Sequence, residues 1–179
     1  NTDVFGLSKC FSAVKNCENA VVLGSGATAR SAVLAISESF PGSEIVVASR
    51  NAETAGTLSH QFESSGSNLR TEKPSSQQLL EADLVVSTVP AGGFASLWDE
   101  VENSKVSPHG VLLDVAYSPW PSIAAQSWKS ESISGLEMLI WQAISQIKLF
   151  SSSVGEETAF EPQALYEVML RSVQNHKEL

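Results

Sequence analysis

Residues Val21–Ile36 read VVLGSGATARSAVLAI: a short apolar run, two glycines at Gly24 and Gly26, then small and apolar residues at helical spacing. In the order strand, turn, helix, Gly24 allows a tight turn. Gly26 lets backbone N–H groups approach a pyrophosphate at a helix N-terminus, where unsatisfied donors and the helix dipole favour anions. Ala29 stands where the third glycine of the usual dinucleotide fingerprint falls, and it still permits close helix–strand packing. The plain alternative is an ordinary strand-to-helix turn.

On either side of this stretch, apolar runs alternate with helical patterns. Ala20–Leu23, Glu44–Ala48, Leu84–Thr88 and Val111–Asp114 read as buried strands, and Leu69–Glu72 as a further candidate. Helices are expected at Ser31–Phe40, from an Asn51 cap to Phe62, and at Gln77–Glu81, Phe94–Val101, Leu136–Phe150 and Pro162–Gln174. Ser64–Asn68 reads as a polar turn and Ser151–Ser153 as a polar joint. Continuous apolar strands separated by helices predict an α/β class: a doubly wound, Rossmann-type, mostly parallel sheet with helices on both faces. Such sheets bind ligands beyond the carboxyl ends of their strands. Those ends are Gly24–Arg30, Ser49–Asn51, Thr88–Gly93 and Asp114–Pro119.

Composition narrows the partners. The chain has 179 residues, 42% hydrophobic and 17% charged, with a formal net charge of −9. That acidity argues against nucleic acid and anionic membranes, which call for clustered Lys and Arg, but leaves room for a small anionic ligand at one positive site. No apolar run approaches the ~20 residues of a membrane span, and no signal-peptide pattern opens the chain. A helix through Cys10 and Cys17 would set them roughly 10 Å apart on one face, too far for a disulfide, so both are expected to be buried thiols of a reducing cytosol. His60, His109 and His176 show no metal-ligand spacing. A start at Asn1 without methionine suggests a processed product or a fragment.

The second strand ends in Ser49-Arg50-Asn51. An acidic residue there would bind the ribose 2′-hydroxyl of NAD. Arg50 instead offers a cation to the 2′-phosphate of NADP and a planar guanidinium to stack on adenine, with Ser49 and Asn51 adding hydrogen bonds. The alternative is a surface Arg in a polar turn. Small residues in Thr88-Val89-Pro90-Ala91-Gly92-Gly93 leave room for a nicotinamide ribose, or make an ordinary Pro/Gly loop.

Several segments together resemble shikimate dehydrogenase: GSGATAR, ASRN, STVPAG, DVAYSPWPS, the Asn1-Thr2-Asp3 triplet and, most specific of these, GLEMLIWQA over Gly135–Ala143. The resemblance covers nearly the whole chain but only the back two-thirds or so of a typical member. It implies NADPH-dependent, reversible reduction of 3-dehydroshikimate to shikimate on the route to chorismate and aromatic amino acids. Asp3 matches the catalytic Asp, and Gln142 and Tyr117 match substrate-binding positions beside it. Implied cofactor contacts are Gly24, Ser25, Gly26, Ala27 and Thr28 in the turn, and Ser49, Arg50 and Asn51 after the second strand. Thr88, Val89, Pro90, Val115, Gly135 and Met138 complete them. From the residues alone Asp3 also reads as a helix N-cap, Gln142 as an exposed helix Gln, Met138 as core and Tyr117 as a packed loop residue.

The family's catalytic Lys has no counterpart in these motifs, and Lys9 and Lys15 are not assigned its role. The amino-terminal substrate domain is therefore expected to be absent, and the chain by itself inactive. Residues 1–18 would be a linking helix, 19–150 the NADP-binding domain, and 151–179 a C-terminal helix packing back on the fold. A small-molecule substrate, a cytoplasmic location and a homodimer are further expectations. Alternatives are a quinate/shikimate dehydrogenase and a non-catalytic nucleotide-binding module.

Overall fold

The computed structural model describes residues 1–63, 66–90, 92–153 and 160–175. Helix α1 (Thr2–Cys10) leads through a short 3-10 turn (Phe11–Ala13) into β1 (Asn19–Leu23). Then follow α2 (Ala27–Ser39), β2 (Glu44–Ala48), α3 (Ala52–Phe62), β3 (Asn68–Glu72), α4 (Ser76–Glu81) and β4 (Leu84–Ser87). The chain continues through α5 (Ala95–Glu102), β5 (Val111–Asp114), α6 (Ile123–Ser127), β6 (Ser132–Ser134), α7 (Gly135–Ser153) and α8 (Pro162–Asn175).

The sheet order is β3-β2-β1-β4-β5-β6, and every neighbouring pair is parallel. The doubly wound Rossmann arrangement read from the sequence is therefore the fold. Strand alternation sorts the β1 side chains between two cores. Ala20 and Val22 pack with α1, α2 and α3, whereas Val21 and Leu23 pack with α4, α5 and α6. All four side chains are at most 3% exposed, which is why β1 reads as a continuous apolar run and not an alternating one. Connections leave β1 for β2 on one side and β4 for β5 on the other, which opens a crevice at the carboxyl ends of β1 and β4.

At the opposite end of the sheet Asp83 anchors β1. Its carboxylate accepts the backbone N–H groups of Glu18 and Asn19, both at 2.9 Å, and lies 3.1 Å from His109 Nε2. Partial burial alone would raise this carboxyl's pKa. The two backbone donors and His109 outweigh burial and hold it below the usual carboxylate range.

The elements depart from expectation at several points. Helix α2 starts at Ala27, not Ser31, because Gly26 adopts an extended conformation and caps it, and the small residues that follow enter the first turn. Phe94 is the cap of α5 and not its first residue. Helix α1 ends at Cys10, so Cys17 lies beyond it and the helical spacing between the cysteines does not hold; both are buried free thiols. Ser151–Ser153 forms the last turn of α7 instead of a joint. The short elements α6 and β6 were not anticipated; Ser-Ile-Ser has too little apolar signal. Asn68, expected in a turn, opens β3. Residues 64–65 of that turn, Ala91 and His176 lie outside the described residues.

Candidate functional site

The Gly-rich turn is built by two glycines with different tasks. Gly24 has φ +109°, and a Cβ there would meet Thr88 Oγ1 at 2.5 Å. Thr88 donates that hydroxyl to Leu23 O (2.7 Å) and its N–H to the same oxygen (2.9 Å), closing β4 against β1. Gly26, by contrast, faces open space. As the N-cap of α2 it supplies no side-chain acceptor, so the first N–H groups of the helix, around Ala27 and Thr28, point outward. An unblocked helix N-terminus beside a Cβ-free backbone fits a phosphate group.

Three hydroxyls tie this turn to the loop after β2. Ser25 Oγ lies 3.0 Å from Ser49 Oγ and 2.5 Å from Thr54 Oγ1. Ser49 Oγ also accepts the N–H of Asn51 (3.2 Å). Asn51 caps α3, its side chain accepting from the N–H groups of Glu53 and Thr54, both at 3.1 Å. Ser49 and Asn51 therefore shape the loop that presents Arg50. The Arg50 guanidinium is exposed and lies 4.8 Å from the centroid of the Phe94 ring. Thr54 and Phe94 were missed in the sequence. Thr54 had a signal, since it sits one turn into a helix whose cap was identified; Phe94 had none.

Beyond β4 and β5 opens a cavity of about 420 Å³ lined by Thr88, Val89, Pro90, Val115, Ala116, Tyr117 and Ser118. Five of these were expected from sequence, and the fold brings them to one cleft. Tyr117 is 47% exposed. The cleft wall is held by Asp114, 3% exposed, which accepts the Ser122 hydroxyl (2.6 Å) and the Ala116 N–H (3.2 Å). Ser122 in turn caps α6 by accepting from Ala125 N–H (3.1 Å).

Helix α7 carries the remaining residues. Gly135 was expected to admit a cofactor, but the space a Cβ would occupy is filled by the backbone of Val115. Its glycine is required by that packing, and its N–H donates to Ala116 O (3.3 Å), fixing the start of α7 to the cleft wall. Met138 is 6% exposed and packs on α1: a Cβ at Gly6 would meet Met138 O at 2.7 Å and Gln142 Cγ at 2.9 Å. This glycine lets α1 lie directly on α7. The result is a hydrogen bond from Gln142 Nε2 to Asp3 Oδ1, across 139 residues of sequence. Asp3 is not the cap of α1. Asn1 is, accepting the Asp3 N–H (3.0 Å), and Asp3 lies in the first turn with its carboxylate turned to Gln142. Gly6 was also missed, although a glycine inside a helix is itself a sign of close backbone approach.

The thiols play no part in this geometry. Burial, reinforced by Glu137, pushes Cys10 up to about 12; burial pushes Cys17 up to about 11 against the lowering effect of Ser43. Both are protonated and inert at neutral pH. Among the described residues no group of three or more His, Cys, Asp or Glu side chains is placed to hold a metal, and no helix is long and apolar enough to cross a membrane.

The family model described as "NADP oxidoreductase coenzyme F420-dependent" matches residues 19–118. The shikimate dehydrogenase (NADP(+)) of Leptospira interrogans is 32% identical over 143 residues, 73% of this chain and 48% of that protein. This chain thus spans about half the length of that curated relative. The crystal structure of Mycobacterium tuberculosis shikimate dehydrogenase matches with a TM-score of 0.79 and 29% identity, over 97% of this chain and 62% of the other. A shikimate 5-dehydrogenase from Mycobacterium fortuitum matches with a TM-score of 0.72 and 30% identity, over 92% and 59%. The family match spans the Gly-rich turn, the Arg50 loop and all seven residues that line the cleft; Asp3 and Gln142 lie outside it.

Proposed function

The chain belongs to the family of NADP oxidoreductases described as coenzyme F420-dependent, and from that premise we propose that it is the cofactor-binding part of an NADPH-dependent shikimate dehydrogenase. The reaction is the reversible reduction of 3-dehydroshikimate to shikimate, which feeds chorismate and aromatic amino acid biosynthesis. The observation that carries the substrate half of this reading is the Gln142–Asp3 hydrogen bond, made by a helix whose first residue is packed on the cleft wall.

NADPH, when bound, supplies the hydride. The pyrophosphate would lie on the N-terminus of α2 over Gly26, the 2′-phosphate at Arg50, and the nicotinamide ribose against Thr88, Val89, Pro90 and Val115. Gln142 both donates and accepts, which suits vicinal hydroxyls. By holding one Asp3 oxygen it leaves the other facing the reacting oxygen, to take part in returning a proton there when the ketone is reduced and in accepting the hydroxyl proton when NADP+ takes the hydride in the reverse direction. Its proton-transfer partner would be the lysine that the resemblance places in an amino-terminal domain. Tyr117 would flank the ring. A cytosolic location is part of the proposal. So is self-association through the exposed side chains Leu149, Phe150 and Val168 on α7 and α8.

A titration with NADPH and NADH, repeated for Arg50→Ala, tests the cofactor. Tight NADPH binding that falls at least about tenfold in the variant, with NADH unchanged, is expected for loss of a charge-assisted contact. Equal affinity for both nucleotides in the unmodified protein rejects NADP selectivity. For the substrate, the full-length protein should oxidise shikimate faster than quinate; the reverse order assigns it to quinate.

A further inference from the structure

The carboxyl ends of β2 and β3 carry a second cation. The two strands run in register Ala48↔Glu72, and Ser49 N–H donates to Glu72 O (3.1 Å), so the chains leave the sheet side by side. Arg50 follows one end and Lys73 the other. Both line a concavity of about 330 Å³ together with Pro74, Phe94 and Leu97. Of the acidic groups nearby, Glu72 pairs with Arg70 (2.5 Å), and Glu100 lies in the lining, where it accepts the Ser76 hydroxyl (2.9 Å). Among the described residues no carboxylate forms an ion pair with Arg50 or Lys73.

Phe94 gives this concavity a fixed floor. It is the only described non-glycine residue at positive φ (59°), a conformation costly for a bulky side chain. It is held there because its carbonyl accepts the N–H groups of Leu97 (2.9 Å) and Trp98 (3.1 Å), and its ring packs on the core beneath α5. The Arg50 guanidinium lies over that ring, 4.8 Å from its centroid, a contact through the ring face that leaves N–H donors of the guanidinium available.

We propose that Lys73 and Phe94 complete the nucleotide 2′-phosphate subsite. Lys73 is a second cation for the phosphomonoester, and Phe94 is a positioning residue that fixes the guanidinium plane. The proposal rests on reading the chain as a binder of nicotinamide nucleotides. A phosphomonoester carries close to two negative charges at pH 7, which Arg50 alone leaves half neutralised. Lys73 approaches as a point charge from the neighbouring strand, whereas Arg50 supplies a fork of donors.

The test is a titration of the full-length protein with NADP+, NAD+, 2′,5′-ADP and 5′-AMP for the unmodified protein, Lys73→Ala, Arg50→Ala, Phe94→Leu and the Phe94→Leu/Arg50→Ala pair. Lys73→Ala should weaken NADP+ and 2′,5′-ADP by about tenfold, flatten the salt dependence of NADP+ binding, and leave NAD+ and 5′-AMP within about twofold. Phe94→Leu should weaken NADP+ by about fivefold, and this loss should vanish in the Arg50→Ala background. Unchanged NADP+ binding in Lys73→Ala, with Arg50→Ala still impaired, overturns the role of Lys73 and leaves the cofactor reading intact. A Phe94→Leu loss that persists without Arg50 overturns its positioning role. Failure of the unmodified protein to bind either dinucleotide overturns the cofactor reading and this inference together.

Discussion

The two halves of the candidate site are assembled in opposite ways. At the end proposed for the nucleotide, the Gly-rich turn and the Arg50 loop are local constructions. Each is a strand, a turn and a helix contiguous in sequence, joined by the short hydroxyl cluster of Ser25, Ser49 and Thr54. At the end proposed for the substrate, Asp3 and Gln142 are 139 residues apart in sequence and meet because α1 lies against α7 with only Gly6 between them. Local chemistry sets the first, so it resists change elsewhere in the fold. The second depends on one interhelical distance.

Gly6→Ala should break that symmetry most strongly. The added Cβ meets the backbone carbonyl of Met138, which cannot swing away as a side chain would. Overpacking of this kind costs about 3 kcal/mol before the better helix propensity of Ala returns about 1. Urea unfolding should show a net loss of about 2 kcal/mol, and catalysis by the full-length protein should collapse while its NADPH affinity is kept. Loss of both together would mean that the two halves are not independent.

The mirror experiment is Gly24→Ala, which forces a Cβ onto φ +109° and against Thr88. A destabilisation of about 1.5 kcal/mol is expected, this time with weakened NADPH binding and the Asp3–Gln142 contact undisturbed.

Asp83 offers a control remote from both halves. Its carboxyl pKa is depressed in the folded state, so its stabilisation is present above the unfolded-state value, about 3.9, and is lost as pH falls through the folded-state value. Asp83→Ala should cost about 1.5 kcal/mol at pH 7 and flatten the acid limb of a stability–pH profile, with nucleotide affinity unchanged. A variant whose acid limb matches the unmodified protein would remove Asp83 from the account.

The smallest structural effect is expected from Gln142→Ala. One hydrogen bond to a partly buried carboxylate is removed, at about 1 kcal/mol, so the thermal midpoint should move by a few degrees at most. On the proposed function, turnover of shikimate by the full-length protein should fall far more than the stability does. A variant equally impaired in both would assign Gln142 to the helix junction alone.

Legibility follows the same division. The strands β1, β2, β4 and β5 were readable because each is buried on both faces and appears as an unbroken apolar run. The Asn51 cap was readable because a cap acts on N–H groups two and three residues ahead. Helix α6 and strand β6 were not, since five and three residues hold too few apolar positions to show a period. Gly135 was singled out, but the close approach that requires its glycine, to the Val115 backbone in the loop after β5, was not legible.

The alternation of strands and helices, the Gly-rich turn and the cation at the end of β2 are legible along the chain, because each rests on residues within one or two turns of each other. Packing sets the rest: that Asp3 faces Gln142, that Gly6 permits it, and that Arg50, Phe94 and Lys73 share one concavity. Those groups are brought together by helix packing and strand order. The distances that set such contacts have no counterpart in sequence spacing.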